Sequence, residues 1–210
     1  MAINPEGGTK APPTPDAAAH PGEGFSHHAP IWWGNRLMML IEGGGFAILV
    51  LTYFYIWRNS DSWPPTGILV PDMGIGMLSL AILVVSILPM WHLARLALRN
   101  DSPRVLGYWL LVCVLFGFAA VILRLLEFKG VHTRWNSNPY GAIVWSILAV
   151  HFAHILAASL ESLVLAILML KGPVEEKHYG DITVNAAYWY FVAFSWVALW
   201  VIVYLAPRVI

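Results

Sequence analysis

Five long apolar runs decide what this chain can fold into. Residues 73–94, 105–123, 135–160 and 182–207 contain no Asp, Glu, Lys or Arg, and residues 37–57 contain a single one, Glu42. A helix of about 20 apolar residues crosses the hydrocarbon core of a bilayer, so each run is long enough. Inside that core every backbone N–H and C=O must find its partner within the protein, which leaves helices or closed barrels. The runs are continuous rather than alternating, and a barrel is thereby excluded. The expected fold is all-α: a polytopic membrane protein built as a bundle of five transmembrane helices. Spans are expected at about 35–58, 72–97, 104–128, 140–171 and 184–207, within a transmembrane domain of residues 31–210.

Composition agrees with this reading. The chain is 59% hydrophobic and 11% charged, whereas soluble domains carry roughly 25% charge. Lys+Arg and Asp+Glu balance at 12 each, so the basic surplus that nucleic-acid binding needs is missing. The one cysteine, Cys113, lies in an apolar run, and no disulfide framework can form. Residues 1–30 are proline-rich and lack an apolar core; they read as a flexible polar tail, neither signal peptide nor helix. His20, His27 and His28 in that tail are expected to bind metal only adventitiously. The connections between spans are too short to hold a soluble domain.

Aromatic residues and basic residues orient the bundle. Trp32 and Trp33 lie at one end of the first span, Tyr53, Tyr55 and Trp57 at the other. At 1.5 Å per residue these belts are roughly 36 Å apart, which matches a bilayer with its interfaces. Lys10, Arg36, Arg95, Arg99, Arg104, Lys171 and Lys177 fall on the side of the N-terminus. Arg58, Arg124, Lys129, Arg134 and Arg208 fall on the other. The bias favours a cytoplasmic N-terminus.

Polar groups inside spans are costly, and they mark function or a specific internal partner. Glu42 is followed by Gly43, Gly44 and Gly45, each of which weakens a helix interior by about 1 kcal/mol relative to alanine. Small residues let a second backbone approach closely, so this stretch reads as a carboxyl pressed against a neighbouring subunit or as a hydrogen-bonded packing residue. Arg124 and Glu127, three residues apart, can pair on one helix face. His151, His154 and Glu161 fall at spacings that put them along one stripe of the fourth helix. Two imidazoles and a carboxylate are legitimate ligands for zinc or iron. Such a site would need ligands from a second helix; Glu127 is one candidate, and no Glu-x-x-His motif supplies more. Histidines hydrogen-bonded to a neighbouring helix are the competing reading, and the preferred one. The last span has a thick aromatic stripe, Tyr188, Trp189, Tyr190, Trp196 and Trp200, that reads as packing or lipid contact. No P-loop and no Cys-x-x-Cys-His occurs. The chain alone is expected to bind no cofactor or metal and to catalyse nothing.

In order and spacing, these elements together resemble subunit III of the haem–copper oxidases, from about Trp32 to Pro207. "WWGNRLMMLIEGGGFAILVLTYFYIW" resembles that family's helix with a buried glutamate, which falls on Glu42. "SWPPTGI" at residues 62–68 matches its Trp-Pro-Pro loop, and "LLEFKG" its Glu-Tyr/Phe helix ending, on Glu127. "NPYGAIVWSILAVHFAHI" resembles the helix that opens with Tyr-Gly and bears His-x-x-His, here Tyr140, Gly141, His151 and His154. "YWYFVAFSWVALWVIVYL" resembles the closing helix, giving Trp189, Phe191 and Trp196. The chain departs from the pattern at Phe152 and Ala153 between the histidines. It departs again at Tyr190 and Ala193, where the family carries a histidine and an aspartate, and at Glu161, where it carries an apolar residue. The resemblance is to the short, five-helix bacterial form, which lacks the first two helices of the seven-span form.

That resemblance implies a non-catalytic respiratory-chain subunit of a proton-pumping terminal oxidase that passes electrons from cytochrome c to oxygen. It implies packing against subunits I and II, which hold haem and copper, bound phospholipid, support of proton uptake, and a place in a bacterial inner membrane, within reach of a respiratory supercomplex. A quinol oxidase or a nitric oxide reductase-associated relative is the alternative parent complex. A small transporter is disfavoured because no repeat or paired broken helices occur.

Overall fold

The computed structural model describes residues 30–175 and 177–209; the expected tail and its histidines lie outside them. Five helices, each long and apolar enough to cross a membrane, make up most of the described residues, and there is no strand among them. They are α1 (Pro30–Arg58), α2 (Met73–Leu98), α3 (Pro103–Lys129), α4 (Pro139–Lys171) and a fifth span over Lys177–Val209 that opens with α5 (Lys177–Trp200). Proline stands at the start of α1, α3 and α4, where its missing N–H is no loss and its fixed φ suits the first turn. Asn138 caps α4 by accepting a hydrogen bond from the Gly141 amide at 2.6 Å.

Two helix ends lie beyond the expected bounds. α1 begins at Pro30 and α5 at Lys177, because the first turns of both are polar and hydropathy alone does not register them. Tertiary contacts hold these turns. The Asn35 amide donates to the Val184 carbonyl at 3.1 Å, and the Tyr179 hydroxyl to that of Asp101 at 3.2 Å. The Glu175 amide donates to His178 Nδ1 at 2.9 Å.

The far end of the fifth span is not regular. A π-helical turn over Val201–Leu205 interrupts it before α-helix resumes at Ala206–Val209, and the Ala206 amide reaches back to the Val201 carbonyl. Pro207 explains the break: its ring displaces the carbonyl four residues back and it has no N–H to give. Arg208 hydrogen-bonds the Tyr204 carbonyl and, at 2.7 Å, that of Pro71.

The spans alternate in direction. Ends at Pro30, Leu98, Pro103, Lys171 and Lys177 form one face of the bundle, the N-face, and the opposite ends form the other. α3 packs most extensively on α4, α2 lies against α3 and α5, and α1 leans on α4 and α5 at the side. Close packing uses small residues where helices cross. A side chain at Gly76 would meet the Tyr204 ring at 2.5–2.8 Å, and one at Gly117 would meet Ser159 and Trp189. Trp189 donates its indole N–H to Ser86 at 2.9 Å. In the loop after α1, Trp63 donates to the Tyr53 hydroxyl at 2.8 Å and sets its ring edge-on against Tyr140.

α1 is the outlier. Only Phe46 and Tyr53 of its residues are buried. Leu37, Ile41, Gly44, Ile48, Leu51 and Tyr55 recur every three or four residues along its exposed side.

Candidate functional site

Most of the ionisable residues inside the spans gather into two clusters of different character. The inner one joins α3, α4 and the fifth span. Arg124 and Glu127 are ion-paired with both side chains fully buried. Arg124 donates a second hydrogen bond to His151 Nδ1 at 3.0 Å, and its guanidinium lies 3.4 Å over the Trp196 ring centre. The Tyr204 hydroxyl donates to Glu127 Oε1 at 3.0 Å. His151 Nε2 lies 3.0 Å from the Val192 carbonyl. Arginine has no acceptor and a carbonyl no donor, so His151 accepts at Nδ1 and donates at Nε2 and is neutral. Tyr190 and Ala193 of the neighbouring helix supply it no side-chain partner, and the Val192 backbone does so instead. Arg124 is therefore a core residue rather than a charge of the far face, a correction to the sequence reading. It is buried because Glu127, His151 and the Trp196 ring together replace its water. The described loop and end residues then divide as Arg36, Arg95, Arg99, Arg104, Lys171 and Lys177 against Arg58, Lys129, Arg134 and Arg208.

The outer cluster lies where α1 meets α4 and α5. Glu42 Oε2 is 3.5 Å from His154 Nε2 and makes no hydrogen bond. The Tyr188 hydroxyl is within reach of the same carboxyl. His154 Nδ1 is 2.6 Å from the Val150 carbonyl, so this nitrogen must carry a hydrogen and Nε2 faces the carboxyl with its lone pair or with a second proton. Neither side chain is fully closed off, at 24% and 15% exposure. Phe46 seals the inner side, 4.9 Å from the His154 ring and 6.0 Å from His151.

The two clusters differ chemically in consequence. The inner one is a buried network that ties three helices together and leaves only the Arg124 Nε of its guanidinium unpartnered. The outer one is a partly exposed contact of a carboxyl and an imidazole at the lateral edge of the bundle.

The His151–His154–Glu161 stripe does not converge. His151 turns to α3 and Trp196, His154 to Glu42, and Glu161 lies two turns further on, beside Asn185. No three His, Cys, Asp or Glu side chains among the described residues come together as metal ligands do. Of the three glycines, a side chain at Gly43 would meet the Phe191 ring at 3.6 Å, while side chains at Gly44 and Gly45 would meet nothing within 4 Å in this chain. The aromatic stripe of the last span is largely internal, with Tyr188, Trp189, Trp196 and Trp200 all buried. Tyr188, Asn185 and Tyr204 were not foreseen as site residues. The one available signal was for Tyr204, which sits three residues before Pro207.

An apolar cavity of ≈ 430 Å³ runs between α1 and α5 along Gly43, Phe46, Ala47, Val50, Phe191 and Leu199. A second groove, ≈ 460 Å³, shares Phe191 and continues to Arg36 at the N-face. Against this geometry stands one family match: the profile of the family described as cytochrome c oxidase subunit III fits residues 30–207.

Proposed function

The chain belongs to the cytochrome c oxidase subunit III family, and on that premise we propose that it is a non-catalytic subunit of a proton-pumping haem–copper terminal oxidase in a bacterial inner membrane. Membership makes it a multi-pass membrane protein that associates with other oxidase subunits. The observation that carries the proposal is a match extending across all five spans. In this reading haem and copper belong to subunits I and II, and the inner cluster keeps the bundle rigid beside them.

Three features support the finer roles. The exposed side of α1, with Gly44 and Gly45 open, suits the close approach of a partner's helix. The two grooves, which share Phe191 as a wall, suit a phospholipid, its acyl chain along Phe191 and its phosphate at Arg36. The Glu42–His154 pair suits proton supply to a neighbouring catalytic subunit, and the surplus of basic residues supports a cytoplasmic N-face. Cytochrome c is the electron donor of this reading.

Purification of the tagged chain from membranes in mild detergent tests it. Haem-bearing and copper-bearing subunits, phospholipid and oxygen consumption with reduced cytochrome c should copurify. A chain recovered without haem after crosslinking in the membrane would overturn the assignment, and activity with quinol alone would move it to the quinol branch.

A further inference from the structure

The outer side of α4 carries a carboxyl that no cation of the bundle neutralises. Glu161 is exposed, and among the described residues no ion pair holds it. It lies about 9 Å along the axis from Ile155, the mid-point of α4. The hydrocarbon core reaches about 15 Å to each side of its centre, so a helix centred there holds this carboxyl about 6 Å inside it. Toward the N-face the same side stays apolar: Val164 is 64% and Ile167 52% exposed before Lys171 is reached. A carboxylate at such depth calls for a partner, and its stem is too short to reach the interface as Lys and Arg stems do. On its other flank, Ala142, Ser146, Ala149, Ala153 and Ala157 recur every three or four residues, all exposed. Small side chains let a second helix approach closely. The Ser146 hydroxyl already bonds the Ala142 carbonyl at 2.8 Å, which leaves Glu161 as the group of this stripe that needs a partner.

We infer that this side of α4 is the interface for a membrane-spanning helix of a different subunit, one that brings a Lys or Arg to the Glu161 carboxylate. Charge decides the occupant. A phospholipid covers apolar surface, but its phosphate is repelled here and any headgroup cation stays in the interface, outside the core. A second copy of this chain has no free cation at that depth. Arg124 is buried in its own ion pair, and Arg36 stacks on Trp32 at 4.7 Å. The other described Lys and Arg residues lie in end turns or loops. The inference rests on the chain being one subunit of a larger complex, and it concerns a face distinct from the exposed side of α1.

Crosslinking in native membranes tests it. A photoactivatable crosslinker is attached at Ala157→Cys, one turn from Glu161, and irradiated before detergent is added. The natural chain, whose one cysteine, Cys113, is buried, serves as the blank. One membrane subunit other than this chain should be captured, through a spanning segment that holds a Lys or Arg. Adding Glu161→Lys should lower the capture at least about tenfold, because like charges then meet in a desolvated contact. A Glu in place of the partner's cation should restore it. Glu161 is exposed, so the isolated Glu161→Lys chain should unfold at the same SDS fraction as the natural one. Capture from Ala157→Cys alone keeps the natural Glu161 and identifies the occupant whether or not the charge variant folds. Lipid adducts alone, a captured second copy, or a captured segment without a cation would overturn the interface, as would capture unaffected by Glu161→Lys. Lipid adducts alone in a complex that contains haem would sink this inference and leave the oxidase reading standing. A cation-bearing helix captured in a complex without haem would do the reverse.

Discussion

Removing the charge of Glu127 should cost far more than removing the whole ion pair. Glu127→Ala deletes the bond to Arg124 and the acceptor of the Tyr204 hydroxyl. Arg124 then keeps only His151 and the Trp196 ring. A buried charge stripped of its partner costs about 3–5 kcal/mol, and an orphaned buried hydroxyl adds about 1–3 kcal/mol. The guanidinium has no route to water without unseating Trp196, itself fully buried. We therefore expect a loss of at least about 4 kcal/mol for Glu127→Ala, and slightly less for Glu127→Gln, which keeps an acceptor for Tyr204. The double variant Arg124→Met/Glu127→Leu fills the same space without charge and should recover most of the loss, to within about 2 kcal/mol of the natural chain. Unfolding of the isolated chain in mixed micelles, titrated with SDS, measures these values. A double variant as unstable as the sum of its singles would refute the argument, since it would mean that the pair is not compensating for its own burial.

Three further outcomes are expected. Gly76→Ala drives a methyl into the Tyr204 ring and should lower the stability of the chain by about 1–3 kcal/mol, read as a lower melting temperature. Gly44→Ala meets nothing in this chain and should stabilise the isolated helix bundle by up to about 1 kcal/mol while weakening its retention in the complex during detergent washing; retention at the natural level would show that no partner packs there. Glu42→Gln removes the carboxyl that faces His154 but little volume, so assembly should be intact and sustained oxygen consumption modestly altered. Outright loss of oxidase activity would show that Glu42 does more than support the catalytic subunit.

Much of the architecture was legible in residue order because the constraint is so coarse. A bilayer demands about 20 apolar residues per crossing, and five runs meet that demand whatever they pack against. The errors fall at helix ends, where Lys177, His178 and Asp181 continue a helix that hydropathy places in a loop. Pairing of Arg124 with Glu127 was also readable, since three residues of helix bring two side chains onto one face. Where His151 and His154 go was not. One turn apart on one helix, they end in different surroundings, one neutral between Arg124 and Val192, the other facing the Glu42 carboxyl at the edge of the bundle.

By itself, then, the sequence determined a membrane bundle of five helices, its family pattern and the presence of costly polar groups within it. Apolarity and local spacing are properties of single segments, and a sequence displays them directly. Only the tertiary structure decided that Arg124 is core rather than a charge of the far face, that Tyr204 joins the inner cluster, and that His154 faces Glu42. Those relations join helices distant in sequence, and they depend on how each helix is rotated about its axis. In hydrocarbon that rotation is set by packing, by small residues at crossings and by the need of each buried polar group for a partner.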